Sequence, residues 1–159
     1  MLNNKIIGFI GAGNMAETLL GGLISSNQSK PEDIICSDVR ESRLEELAKQ
    51  YGVRTTTDNK EIAKTSDIII YAIKPQIVAE VFKETTDLLD MSKLIISIAA
   101  GVPMAAIEAL LHKDLRLIRS MPNVCVAVKE GATAISSGAH ANPEDIEMVI
   151  EHCCSIKAD

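Results

Sequence analysis

The segment Gly8-Phe9-Ile10-Gly11-Ala12-Gly13-Asn14-Met15-Ala16 directly follows the apolar pair Ile6-Ile7 and reads as a strand turning sharply into a helix around G-x-G-x-x-A. Such a turn builds a dinucleotide pyrophosphate site. Gly11 allows the tight turn, Gly13 lets main-chain N–H groups approach the phosphates, and Ala16 is small enough for the helix to lie close to the strand. The helix N-terminus adds its partial positive charge. The motif alone is weak, because glycines also punctuate ordinary turns. Its context strengthens it: Met15, Leu19 and Leu23 recur at helical spacing, and Asp38 ends a second apolar stretch, Ile34-Ile35-Cys36, about 20 residues further on.

Beyond the motif, apolar runs alternate with helical periodicities. Lys5 to Ile10, Ile34 to Asp38, Asp67 to Ile73, Leu94 to Ala99, Leu115 to Ser120 and Ala132 to Ser136 read as strands. Between them, Ser42 to Gly52 reads as a helix with Leu44, Leu47 and Ala48 on one face, a Ser-x-x-Glu cap at Ser42 and Glu45, and a glycine stop. Gln76 to Thr86 and Met104 to His112 follow similarly, and Glu144 to Cys153 closes the chain with Ile146, Val149, Ile150 and Cys153 on one face. Runs such as Ile68-Ile69-Ile70 and Leu94-Ile95-Ile96 are apolar on both faces, as a parallel sheet covered on each side requires. The expected fold is therefore α/β, a Rossmann-type doubly wound, mainly parallel sheet with helices on both faces, forming one domain over residues 1–159.

Composition narrows the partners. A formal charge of −6 and the lack of a basic run leave no electrostatic footprint for nucleic acid or an anionic membrane surface. No apolar run approaches the ~20 residues needed to cross a bilayer, and no cleavable leader pattern opens the chain, so a soluble cytoplasmic protein is expected. Cys36, Cys125, Cys153 and Cys154 form no C-x-x-C pair and read as reduced thiols. His112, His140 and His152 lack ligand spacing and read as solvated positions, so no metal site is expected.

In open α/β sheets ligands bind beyond the carboxyl ends of the strands. Four such ends carry unusual sequences: Ser37-Asp38-Val39-Arg40, Ala72-Ile73-Lys74-Pro75, Ser97-Ile98-Ala99-Ala100-Gly101-Val102 and Arg119-Ser120-Met121-Pro122-Asn123. Small residues at 99–101 would let a flat ring lie against the backbone, and Pro75 and Pro122 would fix the loop paths. Asp38 suits a ribose 2′-hydroxyl and so NAD, whereas Ser37 and Arg40 could hold a 2′-phosphate, Arg40 by a bidentate contact.

Taken together, Gly8 to Ala16, Asn59-Lys60-Glu61, Ala72 to Gln76, Ser97 to Val102, Met121-Pro122-Asn123 and Glu130 to Ala134 resemble the cofactor domain of pyrroline-5-carboxylate reductases, over essentially the whole chain. The resemblance implies NAD(P)H-dependent reduction of the C=N bond of 1-pyrroline-5-carboxylate to L-proline, in proline biosynthesis. NADP(H) is favoured and NAD(H) is the alternative. It assigns Ile10, Gly11, Ala12, Gly13, Asn14 and Met15 to the pyrophosphate, and Ser37 and Asn59 to the adenosine ribose or its phosphate, beside the Asp38 and Arg40 read above from their chemistry. Ala72, Ile73, Lys74 and Pro75 would follow the central cofactor, and Ile98, Ala99, Ala100 and Gly101 the nicotinamide. Lys74, Ala100, Gly101, Met121, Pro122 and Asn123 would border nicotinamide and substrate, with no catalytic residue singled out. Lys74 and Asn123 also read plainly as an exposed loop cation and a turn residue.

Two departures stand out. Where the family continues Met-Pro-Asn with Thr-Pro and a later glycine, this chain has Val124 to Glu130, in a loop that borders the active site in relatives. The family also carries a second, helical domain, with a Ser/Gly-rich substrate loop, that forms the dimer. None is expected within these residues, so the isolated chain is expected to be inactive and homo-oligomerisation to belong to the full-length enzyme. Alternatives are a non-catalytic nucleotide-binding or sensing module, or a reductase of another imine or a keto acid.

Overall fold

The computed structural model describes residues 2, 4–122 and 133–151. Among them the chain runs β1 (Ile7–Ile10), α1 (Asn14–Ser25), β2 (Ile34–Ser37), α2 (Glu41–Tyr51), β3 (Arg54–Thr56), α3 (Asn59–Thr65), β4 (Ile68–Tyr71), α4 (Val78–Thr85), β5 (Leu94–Ser97), α5 (Met104–Leu111), β6 (Arg116–Pro122), β7 (Thr133–Ser137) and α6 (Pro143–Val149). The strands form one sheet in the order β3-β2-β1-β4-β5-β6-β7, parallel except for the β6–β7 pair. The chain winds outward from β1 through β2 to β3, then restarts on the other side of β1 at β4. That reversal opens a crevice at the carboxyl ends of β1 and β4.

Successive strand residues point to opposite faces, and both faces are buried. Ile7, Phe9, Ile34, Cys36, Ile70, Ile96 and Ile118 pack on one side against α1, α2 and Val149 of α6. Ile10, Ile35, Ile69, Tyr71, Ile95 and Leu117 pack on the other against α3, α4 and α5. At Gly8 the fit is tight enough that a Cβ would lie 2.3 Å from Ile62 of α3. The doubly wound architecture expected from the sequence is the one found.

The differences from the sequence-based reading are local. The edge strand β3 lacks an apolar run and was not anticipated. Helix α3 is capped by Asp58, whose carboxylate accepts the Lys60 N–H at 3.0 Å. Helix α2 begins at Glu41 after Arg40, not at Ser42, and carries no side-chain cap. Its entry turn is held instead from Asp38, which takes the Arg40 N–H at 2.9 Å. The fourth helical stretch opens as a 3-10 turn, Pro75–Ile77, where proline supplies no N–H, and continues as α4.

Helix α6 starts earlier than expected, at an Asn142 capping box with Asp145. That box turns Asp145 inward with Val149, so Ile150 is 48% exposed and does not join the buried face. Cys153, and the rest of the expected helix beyond 151, lies outside the described residues. The last strand is shifted by one residue, from Ala132–Ser136 to Thr133–Ser137.

Candidate nucleotide-binding site

A cleft of about 750 Å³ lies over the carboxyl ends of β1, β2 and β4, within the size range of small-molecule and cofactor sites. Its floor is the glycine turn. Gly11 has φ +100°, a region open to glycine, and a Cβ there would lie 2.2 Å from the Ala72 carbonyl oxygen. Its N–H donates to the Ser37 carbonyl at 2.9 Å, locking the turn to the end of β2. A Cβ on Gly13, by contrast, meets nothing within 4 Å among the described residues. Gly11 is thus required by the protein itself, whereas Gly13 keeps open space in the cleft.

Gly13 is also the N-cap of α1 and provides no side-chain cap for it. Among the described residues, the first N–H groups of this 12-residue helix therefore have no N-cap side chain to accept them, and the positive end of the helix dipole stands at the cleft. A glycine cradle, open space over it and uncapped donors together fit the pyrophosphate of a dinucleotide.

The β2 end is more committed than the sequence suggested. Asp38 accepts from Ala12 N–H at 3.0 Å and Arg40 N–H at 2.9 Å, and pairs with the Arg40 guanidinium at 3.0 and 3.1 Å. Burial pushes this carboxyl up, but its hydrogen bonds with Arg40 and Ala12 outweigh that and hold it at about 2. Neither oxygen is left uncommitted for a ribose hydroxyl. Ser37 is buried and donates to Asn59 Oδ1 at 2.6 Å, while Asn59 Nδ2 donates to Glu84 at 3.2 Å. The expected neighbours Ser37 and Asn59 are brought together, with Asn59 at the cleft wall.

Ile10, Gly11, Ala12, Gly13, Asn14, Met15, Ser37, Asp38, Arg40, Asn59, Ala72, Ile73, Lys74, Pro75, Ile98 and Ala100 all line the cleft. Ala99 does not: it is 1% exposed and packs into the α4/α5 layer, because its side chain follows the inward alternation from β5. Gly101, with φ +70°, and Met121 also stand outside the lining, and Pro122 ends β6 paired with Thr133. Asn123, the Val124 to Glu130 loop, His152, Cys125, Cys153 and Cys154 lie outside the described residues.

Sequence reasoning missed Ile77, Glu80, Val81 and Glu84, which also line the cleft, and named Val39 only within a strand end. Val39 is 91% exposed and Ile77 42%, an unusual use of apolar side chains that flank the opening. The signal was available in Asp38-Val39-Arg40, an aliphatic residue between two charges in a turn. Arg119 was named only within a strand end, yet its Nε is buried with no hydrogen-bond partner among the described residues.

Elsewhere, burial pushes the Cys36 thiol up to about 12, which leaves it unreactive. His112 caps the end of α5, and His140 Nε2 lies 3.1 Å from Asp114, so neither meets the cleft. Among the described residues no group of three or more His, Cys, Asp or Glu is placed to hold a metal ion, and no helix is long and apolar enough to cross a membrane.

Comparison with known proteins agrees with this fold. The chain is 42% identical over 150 residues to pyrroline-5-carboxylate reductase of Methanosarcina acetivorans, covering 94% of this chain and 56% of that protein. It is 38% identical over 146 residues to the Escherichia coli enzyme of the same name, covering 92% and 54%. A pyrroline-5-carboxylate reductase structure from Coxiella burnetii superposes with a TM-score of 0.91 at 31% identity, over 98% of this chain and 57% of that one. A Plasmodium falciparum pyrroline carboxylate reductase solved with NADP bound gives 0.85 at 28%, over 97% and 56%. The chain thus spans about half the length of the relatives it matches. Residues 6–101, from β1 through the turn after β5, match the family described as NADP oxidoreductase coenzyme F420-dependent, and to that family the chain belongs.

Proposed function

We propose that this chain is the cofactor-binding domain of an NAD(P)H-dependent reductase that converts 1-pyrroline-5-carboxylate to L-proline. The observation that carries the reading is the contrast within the glycine turn. Gly11 is filled against by the protein, and Gly13 is kept open over uncapped helix donors in a nucleotide-sized cleft. The substrate is argued from relatives named for this activity at 38–42% identity.

When bound, the reduced nicotinamide would supply a hydride to the carbon of the protonated C=N bond, whose π pair passes to the nitrogen as the nicotinamide is oxidised. The residues of this chain bind and orient. The turn and the start of α1 hold the pyrophosphate, and Val39 and Ile77 offer apolar walls for the adenine. Ala72 to Pro75 with Ile98 and Ala100 carry the remainder toward the β5 end. NADPH is favoured over NADH because Asp38 is already satisfied and neutralised by Arg40, so it repels a 2′-phosphate less than a free carboxylate would. The relative with NADP bound points the same way.

Hydride transfer needs donor and acceptor held roughly 3–3.5 Å apart. In this reading a helical substrate domain of the family provides that hold and the dimer contact. The test follows NADPH oxidation with pyrroline-5-carboxylate, using the 159-residue chain alone and fused to the helical domain of a relative. The expected result is near-background turnover for the first and proline formation for the second. Robust proline formation by the short chain would reject the division of labour, and no turnover by the fusion would reject the substrate.

A further inference from the structure

Both main-chain polar groups of Ala12, the residue between the two turn glycines, are held by charged side chains from the β2–α2 segment. Asp38 accepts its N–H at 3.0 Å. Arg43, in the first half of α2, donates from Nε to its carbonyl at 2.8 Å. Ala12 itself is fully buried, while the Asp38 and Arg43 side chains that hold it are partly exposed. The remaining guanidinium nitrogens of Arg43 pair with Glu17, in the first turn of α1, and with Glu46 at 2.8 Å. Glu17 also accepts the Tyr51 hydroxyl at 2.9 Å.

The geometry points to Arg43 as a positioning residue for pyrophosphate binding; this rests on the nucleotide-binding reading above. The Ala12 carbonyl and the Gly13 N–H belong to one planar trans peptide unit and point in opposite directions. Fixing the carbonyl toward α2 fixes the Gly13 N–H away from it, and Arg43 itself does not line the cleft. Arg43 acts in a second way. Glu17 would place an uncompensated negative charge within the first turn of the helix whose N-terminus must accept a dianion. The guanidinium holds that carboxyl below its ordinary value, so it stays ionised, and offsets its charge with a positive charge shared with Glu46. One side chain therefore orients a donor and reduces a repulsion, without lining the cleft.

The role separates from that of Arg40, which sits at the ribose end, by the part of the nucleotide each affects. Binding is measured by calorimetric titration of the 159-residue chain with ADP, NADH, NADPH and adenosine 2′-monophosphate, the last lacking a pyrophosphate. For Arg43→Met, the affinities for ADP, NADH and NADPH are expected to fall together by about tenfold or more, the worth of one charge-assisted hydrogen bond. Adenosine 2′-monophosphate should change less than about twofold on the same bookkeeping. Arg43→Lys, which keeps the charge and one donor, should recover part of the loss. Glu17→Gln leaves the Arg43–Ala12 bond in place and should bind ADP at least as tightly as the unchanged chain.

An equal loss for all four ligands, or unchanged ADP binding in Arg43→Met, would overturn the proposal. So would a loss in Glu17→Gln as large as that in Arg43→Met, because the ion pair and not the Ala12 clamp would then be what matters. If Arg43→Met does not fold, the Arg43→Lys and Glu17→Gln pair decides alone. An unchanged chain that binds none of the four ligands overturns the nucleotide reading itself, and that outcome is distinguishable from failure of the Arg43 assignment.

Discussion

The two ends of the sheet use charged residues in opposite ways. At the amino ends, charges close the structure. Lys93, 9% exposed, donates to the carbonyls of Lys64 and Ser66 at the end of α3, and Asp67 takes the Ile6 N–H at 2.8 Å. Arg116 grips Asp145 through two hydrogen bonds, at 3.1 and 2.6 Å, and ties α6 to β6. At the carboxyl ends, Asp38 and Arg40 line an opening, and Arg43 braces its glycine turn from outside the lining. The difference separates stability from binding. Substitutions at the amino ends should lower stability without moving nucleotide preference, and those around the cleft should do the reverse unless the residue also fills space.

The largest effect expected is the exception that sharpens this contrast. Gly11 lies at the cleft but is packed by the protein, so Gly11→Ala drives a Cβ into the Ala72 carbonyl and forces alanine to φ +100°. Loss of at least about 3 kcal/mol of stability is expected, measured by urea unfolding. A variant as stable as the unchanged chain would show that the turn is loose and the contrast with Gly13 unfounded.

Next in size is Asp145→Asn at the amino end. Removing the charge that satisfies Arg116 should cost about 2–3 kcal/mol of stability while leaving the ratio of NADPH to NADH affinity unchanged. Because the Asp145 carboxyl is held below its ordinary value against burial, by the Arg116 and Asn142 hydrogen bonds, its contribution is complete above that value and is lost as pH falls through the depressed one. The unchanged chain should therefore lose more stability in acid than the variant does. A shifted cofactor ratio in Asp145→Asn would mean that the two ends are coupled.

Smaller still is Arg40→Ala, which touches only the exposed rim. It should weaken NADPH severalfold, leave NADH nearly unchanged, and leave the unfolding midpoint in place, because Arg40 is exposed and its bond to Asp38 competes with any bond to a 2′-phosphate. Equal losses for both cofactors would remove Arg40 from the specificity argument.

Much of this was legible in the sequence, for reasons tied to particular residues. The both-face apolar runs around Ile69, Ile95 and Leu117 dictate a covered parallel sheet, and the Gly8 to Ala16 motif dictates where it opens. The short polar strand β3 was not legible, because three residues at a sheet edge bury too little to leave a pattern. The N-terminus of α2 was misread because its turn is held from Asp38, outside the helix, where a local capping motif carries no signal. The same Asp38 shows why site residues were placed better than their roles. Its position followed from spacing, but its full occupation by Ala12 and Arg40 is tertiary. Arg43 was invisible for that reason: nothing in Ser42-Arg43-Leu44 announces that its partner is a carbonyl 31 positions earlier.

The most direct measurement of the central claim is titration of NADPH fluorescence with the unchanged chain and with Gly13→Val, alongside their unfolding curves. Since a Cβ at Gly13 meets no atom of the described residues within 4 Å, the account predicts a variant that stays folded and loses only about 1 kcal/mol, the cost of a poorer N-cap for α1. That variant should show no saturable NADPH signal, while the unchanged chain saturates. Equal NADPH binding by both chains, or no saturable binding by the unchanged chain at millimolar cofactor, would contradict the claim that this turn is built around a pyrophosphate.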